Sequence, residues 1–239
     1  MENKTVLNST LITAYALFIS ISYLWGFWGH FDINILNYIS VSDIIKSAIW
    51  PMIIALALYL VQVAMNNYNG PRTDISVKYS EMSKHEKFDY ILRYSYAIIM
   101  ACLVLGSVIY NLVMGNKMIQ YAAIGWILAS IVFFTTCRNQ ELMAYIPFKN
   151  KALFYSILCF MPVFFLSRGV LEGDKILAGE NTYLVESNAL CSSSENDKYR
   201  YIDVMADKAF ALSLKDNSIC IFKFENIRLV KEKRNNVGS

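Results

Sequence analysis

The chain has 239 residues, of which 56% are hydrophobic and 17% are charged, and its formal net charge is +3. Soluble domains carry about 25% charged residues, and here the deficit is concentrated in apolar stretches close to the ~20 residues that cross a bilayer. So small a net charge gives no support to nucleic-acid binding. The five cysteines and two histidines form no cluster at metal-binding spacing, so the sequence predicts neither a metal site nor a cofactor.

A polar, basic segment between residues 66 and 93 sets the predicted orientation of the chain. It lies between two apolar stretches, and short loops rich in Lys and Arg remain on the cytoplasmic side of a membrane. The basic residues that determine this topology are Arg72, Lys78, Lys84, Lys87 and Arg93. Lys4 favours the same side for the N terminus, so we expect the first crossing to run outward.

Five apolar stretches are predicted to cross the membrane, and together they form a five-span membrane domain over residues 1–168. In chain order the spans are Val6–Trp25, Ser42–Asn66, Ile91–Met114, Met118–Thr136 and Ala152–Ser167. Five crossings from an inside N terminus deliver the rest of the chain to the outside. The predicted location is therefore the cell membrane, taken as a bacterial inner membrane, with the lipid bilayer as a partner and a periplasmic or extracellular C terminus.

Several local signals fix where these helices begin and end. Ser42 followed by Asp43 suits the N-cap and first turn of the second span, and Ser83-x-x-Glu86 has capping-box spacing just before the third. Arg168 is predicted to close the fifth span.

Aromatic residues mark the predicted outer surface. Trp25 and Trp28 end the first span, where amphipathic rings prefer the headgroup level. The following loop, Gly26–Ser42, has no Lys or Arg and mixes apolar with polar residues. It is predicted to lie in the interface or to dip into the membrane without crossing it, because its polar groups would lack partners in lipid.

Small residues repeat at helical spacing in the fourth span. Ala122, Gly125 and Ala129 would let another helix backbone approach closely in lipid. Two interpretations remain open: an interface between copies in a homo-oligomer, and internal packing against the third span.

The composition changes at Gly169, and residues 169–239 are predicted to form a separate, soluble β-rich domain. Short runs with partial alternation predict five strands, which lie at Thr182–Glu186, Tyr199–Met205, Ala209–Leu214, Ser218–Phe224 and Ile227–Val230. Gly173-Asp174 is interpreted as a turn before them. Five short strands predict a small all-β fold, either an SH3-like barrel or a sandwich.

The two cysteines of this domain, Cys191 and Cys220, can be interpreted in two ways. Outside the cytoplasm a disulfide between them would stabilise a domain with a small core. Alternatively they are unlinked thiols, with Cys220 a small buried residue between two isoleucines.

No catalytic motif is found in the sequence. His30-x-Asp32 could be half of a metal site or an acid–base pair, and Asp32 with Asp43 could form an acidic mouth that attracts cations. Mid-span positions carry no Asp, Glu, Lys or Arg, which disfavours ion-coupled transporters.

Two functional hypotheses follow, and neither is an enzyme. The leading one is a membrane-anchored interaction module whose C-terminal domain binds a protein partner, as bacterial immunity, exclusion and defence proteins do. The alternative is a homo-oligomeric ion channel or pore, lined by the second or fourth span, with the β-rich domain as its sensor.

Overall fold

The computed structural model describes residues 2–46, 49, 53, 57, 83–139, 151–186, 191, 197–223 and 227–232. Four long helices are present among them: α1 (Glu2–Trp28), α2 (Lys84–Met114), α3 (Lys117–Arg138) and α4 (Lys151–Leu177). Five strands follow: β1 (Tyr183–Glu186), β2 (Tyr199–Met205), β3 (Lys208–Ser213), β4 (Ile219–Lys223) and β5 (Arg228–Lys231). By their contacts the residues form two units, Met1–Ile49 with Leu128–Ser239, and Trp50–Ile127.

Three helices are long and apolar enough to cross a membrane, judged by length and composition in the described part of the chain. They are Lys84–Met114, Lys117–Arg138 and Phe154–Leu177. This set matches the third, fourth and fifth predicted spans and does not support a count of five. The first predicted span lies within α1, whereas most of the second lies outside the described residues.

The predicted capping box starts α2. The Ser83 hydroxyl accepts a hydrogen bond from the backbone N–H of Glu86 at 3.3 Å, and the Glu86 carboxylate accepts one from the N–H of Ser83 at 2.7 Å. Two otherwise unpaired donors of the first turn are thereby satisfied. The sequence prediction for this helix start is confirmed.

In the larger unit, α1 and α4 run side by side in the same direction. Near their N-terminal halves the Tyr15 hydroxyl donates to the carbonyls of Ile157 and Leu158, each at 3.1 Å. Farther along, His30 contacts Asp174. Residues later in α1 therefore contact residues later in α4. The two helices are parallel, and their C-terminal ends lie at the same end of the unit.

The five strands form one antiparallel sheet in the order β4-β3-β2-β1-β5. Each predicted strand is confirmed within about one residue at either end, and β2 occupies the predicted range. The turn between β3 and β4 is built at Asp216, which accepts hydrogen bonds from both the N–H and the hydroxyl of Ser218. Asn217 follows in the left-handed conformation, with φ of 57°, which Asn tolerates well.

Both faces of β3 are buried. Phe210 and Leu212 lie on the face that packs against the C-terminal end of α1. Ala211 belongs to a second cluster on the opposite face, together with Val185, Tyr199 and Cys220. Alternation of large and small side chains along β3 therefore matches two different neighbours.

The fifth predicted span is too short. Instead of ending at Arg168, α4 continues to Leu177 and passes through both Pro162 and the predicted turn at Gly173-Asp174. Its last carbonyls are closed by backbone hydrogen bonds around Gly179, whose φ of 73° only glycine adopts readily. The change in composition at Gly169 misled the prediction, because polar residues begin before the helix ends.

The helix predicted to start at Ser42 also begins earlier, since residues 41–46 are helical. Ser40, not Ser42, supplies the cap: its carbonyl accepts from Ile44, while its N–H and hydroxyl donate to the Asp43 carboxylate at 3.0 and 2.6 Å. Ser40-x-x-Asp43 is a capping arrangement that the sequence prediction displaced by two residues.

Candidate functional site at the junction of two helices and the sheet

The C-terminal ends of α1 and α4 meet the inner face of the sheet, and we call this region the junction. Its centre is Trp28, which is 1% exposed and contacts the ring of Phe210 with centroids 4.8 Å apart. Leu24, Phe27 and Phe31 surround it. The sheet covers Trp28, whereas Trp25 remains 55% exposed; the headgroup level of these rings stays a prediction.

The loop after α1 also belongs to the junction. It forms two short 3₁₀ turns, Gly29–Phe31 and Ile35–Asn37, and Phe31 and Ile35 are buried in the same core as Phe210. Phe31 and Ile35 therefore face the sheet, whereas Leu36 of the same loop is 46% exposed; the predicted interfacial or re-entrant position of the loop stays a prediction. A contact between residues so far apart in sequence leaves no local pattern.

Glycines bring α1 and α4 into backbone contact. A Cβ on Gly169 would collide with the carbonyl oxygen of Tyr23 and lie 2.8 Å from the N of Phe27, and a Cβ on Gly26 would collide with the carbonyl of Leu166. Gly169 and Gly173 are four residues apart on α4, which is the spacing of close-packed membrane helices. Sequence reasoning missed this pair because it ended the helix at Arg168.

Arg200 of β2 joins the sheet to the last turn of α4. Its guanidinium donates two hydrogen bonds of 2.8 Å to the Glu232 carboxylate. It also donates to the carbonyls of Ile176 and Leu177 at 3.0 and 2.9 Å. The Arg200 side chain is 11% exposed, and a cation is favourable at a helix C terminus, where unpaired carbonyls gather.

Glu232 completes this link, which we call the Arg200 clasp. Besides the guanidinium it accepts a hydrogen bond of 2.5 Å from the Thr182 hydroxyl. Hydrogen bonds from Arg200 lower the pKa of Glu232, with smaller contributions from Thr182 and from the positive charge. The clasp is therefore formed by an ionised carboxylate and a planar guanidinium in bidentate geometry.

His30 is paired with Asp174 of α4. The distance from His30 Nδ1 to Asp174 Oδ1 is 3.4 Å, and the His30 side chain is only 4% exposed. Its Nε2 is buried with no hydrogen-bond partner in the described residues. The imidazole lies against Gly173, where an added Cβ would be 2.5 Å from His30 Cδ2.

A β-bulge places a carboxylate on the helix side of the sheet. Tyr201 pairs with Ala211, but the next paired residues are Asp203 and Phe210, so β2 has one extra residue at this point. Directly opposed residues lie on the same face of a sheet, and Phe210 faces α1. Asp203 therefore also faces α1. Burial raises its pKa to about 6, although a hydrogen bond from the N–H of Val204 acts in the opposite direction.

The cysteines at positions 191 and 220 form a disulfide. Cys220 is 2% exposed and lies in the cluster on the sheet face away from α1. The bond ties the segment before β2 to β4.

The small residues of the fourth predicted span differ in burial. Ala122 and Ala129 are 6% and 7% exposed within the single chain, and Gly125 is half-buried. Their proposed internal partner was the third span, yet no described residue in the most apolar part of α2 is buried. Burial of two of the three residues makes them less available to a second copy, and the oligomer interface stays a prediction.

The predicted topology residues are only partly described. Arg72 and Lys78 lie outside the described residues, Lys84 and Lys87 lie in the first turn of α2, and Arg93 lies further along it. Among the described residues no three or more His, Cys, Asp or Glu side chains come together as metal ligands.

Neither a scan of protein-family models nor searches of curated proteins and of solved structures found a match for this chain. The junction therefore has to be interpreted from its own geometry.

Proposed function

We propose that the chain is a five-span membrane protein that holds its β-sheet at the outer surface of the membrane, where the sheet binds a protein partner. The observation that carries this proposal is the attachment of the sheet to the same ends of two parallel helices.

The contact with α4 supports α1 as a membrane span. α4 contains a stretch apolar enough to cross, Phe154–Leu177. α1 lies beside it from the Tyr15 contact to the His30 contact. A helix packed along a crossing helix lies at the same membrane depth, so α1 crosses too.

The number of crossings follows from the direction of these helices. Two crossings in the same direction require an odd number of crossings between them, because each crossing reverses the side. α2 and α3 supply two candidates. The third is the predicted span Ser42–Asn66, most of which lies outside the described residues. Together with that predicted span, the parallel direction of α1 and α4 favours five crossings.

Sidedness is supported by two further features. α3 ends at Arg138 and α4 begins at Lys151, so the segment between them is flanked by basic residues, which favour the cytoplasmic side. The other end of α4 then lies outside. The disulfide between Cys191 and Cys220 fits an oxidising compartment such as the periplasm or the cell exterior.

We also propose that the sheet closes into a small SH3-like barrel. Its strand order is compatible with closure, and a second apolar cluster lies on the face away from α1. This cluster draws on four strands and Ile227, which would be the interior of such a barrel.

Exposed apolar residues on β1 and β5 are the candidate contact for the partner. Tyr183 is 43% exposed and Leu229 is 40% exposed. Val185 pairs with Leu229 and Tyr183 pairs with Lys231, so Tyr183 and Leu229 are diagonal neighbours on the face that carries the second cluster, where they stay exposed beside the buried Val185. An amphipathic aromatic next to an aliphatic residue is typical of protein-binding surfaces.

The test uses the full chain, because the inner face of the sheet is completed by α1. A photo-crosslinking residue at position 183 should capture one discrete protein in intact cells, and Leu229→Asp should abolish the product. The matched control is the exposed turn residue Asp207, from which no product is expected. Equal capture from positions 183 and 207, or capture that survives Leu229→Asp, would contradict the proposed surface.

A further inference from the structure

The bulge in β2 sends a carboxylate towards a helix at a position where an apolar side chain would be expected. The preceding residue, Ile202, is 5% exposed and packs in the junction core, and the residue across the ladder, Phe210, is fully buried. Bulges are sites where a strand re-aims a side chain. Without the extra residue, Ile202 alone would be opposite Phe210.

Among the residues that the structure describes, no cation pairs with Asp203. Two phenols interact electrostatically with the Asp203 carboxyl: Tyr23 on α1, and Tyr201, two residues earlier on β2. On α4, Arg168 and Glu172 face the same tyrosine. These two are 2.8 Å apart and pair with each other. The one hydrogen bond described for the Asp203 carboxyl comes from the adjacent N–H of Val204, at 2.8 Å.

We propose that Asp203 makes the contact between the β-sheet and α1 sensitive to pH, so that acidification outside the membrane strengthens the contact and neutral pH weakens it. A carboxylate taken out of water and left without a cation destabilises the arrangement that buries it, whereas the neutral acid does not. Protonation of Asp203 would thus fix the sheet more firmly against α1.

The direction and size of the effect follow from linkage. The pKa of Asp203 is about 6 in the folded chain and 3.8 without burial, so the folded state binds the proton more tightly. Stability contributed by this group is therefore complete below pH 3.8 and is lost as the pH rises to about 6. Between pH 5 and pH 7.5 this predicts that the equilibrium constant for opening the sheet from α1 rises about tenfold.

Hydrogen exchange of the β2 and β3 amides tests the proposal, with the full chain in nanodiscs at pH 5 and 7.5. Protection factors, corrected for the intrinsic effect of pH, should be about tenfold lower at pH 7.5 in the wild type. Asp203→Asn removes the titration and should show equal protection at both pH values. Asp207→Asn, in the exposed turn after β2, is the matched control and should keep the wild-type difference.

Equal protection at both pH values in the wild type would overturn the proposal. A tenfold difference that persists in Asp203→Asn would overturn it as well, because the pH dependence would then come from another group. Should Asp203→Asn fail to accumulate, the wild-type measurements alone can still overturn the proposal, if protection is equal at both pH values. The statement that the acid comes from outside the membrane rests on the sidedness proposed above. The exchange measurement does not depend on sidedness, so the pH effect of Asp203 and the proposed orientation can be refuted separately.

Discussion

Replacing Gly169 by Ala should separate α1 from α4 and destabilise the whole junction. The added methyl would collide with the backbone carbonyl of Tyr23 and would lie 2.8 Å from the N of Phe27. Neither atom can turn aside as the end of a side chain can, so the helices must move apart. A gap of about 0.5–1 Å already forfeits a quarter to a half of the dispersion energy of each contact.

The size of the loss can be estimated from what packs there. Phe165 and Val170 of α4 and Leu24 of α1 are at most 2% exposed, so they lose contacts without gaining water. Overpacking of a closely fitted core costs about 1–3 kcal/mol, which corresponds to a decrease of about 2–4 °C in melting temperature per kcal/mol for a chain of this size. Thermal unfolding of the purified chain in nanodiscs, followed by tryptophan fluorescence, measures this decrease.

Gly106 of α2 provides the matched control. A Cβ at this position would meet nothing within 4 Å, and Ala is favoured over Gly inside a helix by about 0.5–1 kcal/mol. We therefore expect Gly106→Ala to melt at or above the wild-type temperature. If Gly169→Ala had the same melting temperature as Gly106→Ala, the close approach of α1 and α4 would be refuted.

Two more predictions concern the links that hold the sheet. Arg200→Met removes the clasp and leaves Glu232 short of its main partner; we expect a loss of about 2–3 kcal/mol in the same assay. The control Arg228→Met, whose side chain is 80% exposed, should cost at most about 1 kcal/mol, and equal losses would rule out a special role for the clasp. Because the pKa of Glu232 is lowered, the clasp's contribution should also be lost as the pH falls below 4.5. Reduction of the Cys191–Cys220 disulfide, which spans 29 residues, should cost about 2–4 kcal/mol; an unchanged melting temperature after reduction, with free thiols verified by mass spectrometry, would contradict this.

The strands were predictable because each one shows its own local pattern. Alternation placed β2 correctly, and polar residues at Lys215-Asp216-Asn217 marked the turn between β3 and β4. The start of α2 was equally local, since a Ser and a Glu three residues apart form the cap by themselves. Such features depend on neighbouring residues, which sequence shows directly.

The junction was not predictable, because it depends on contacts between distant residues. The sequence around Trp28 is typical of an interfacial tryptophan, and only the fold shows that Phe210 covers it. Gly169 and Gly173 resemble the start of a loop until α1 lies against them. The GxxxG spacing of these two glycines was the one sequence signal that the last helix continues past Arg168. The change in composition at Gly169 pointed the other way. The bulge that turns Asp203 towards α1 has no sequence signature at all.

The accessibility of single cysteines in intact cells tests the central claim most directly. In a chain whose Cys102, Cys137 and Cys159 are replaced by Ser, Asp207→Cys marks the sheet and His85→Cys marks the start of α2. If the sheet lies outside and the start of α2 inside, a membrane-impermeant thiol reagent should label position 207 in intact cells, and should label position 85 only after permeabilisation. Labelling of position 85 but not of position 207 in intact cells would contradict it.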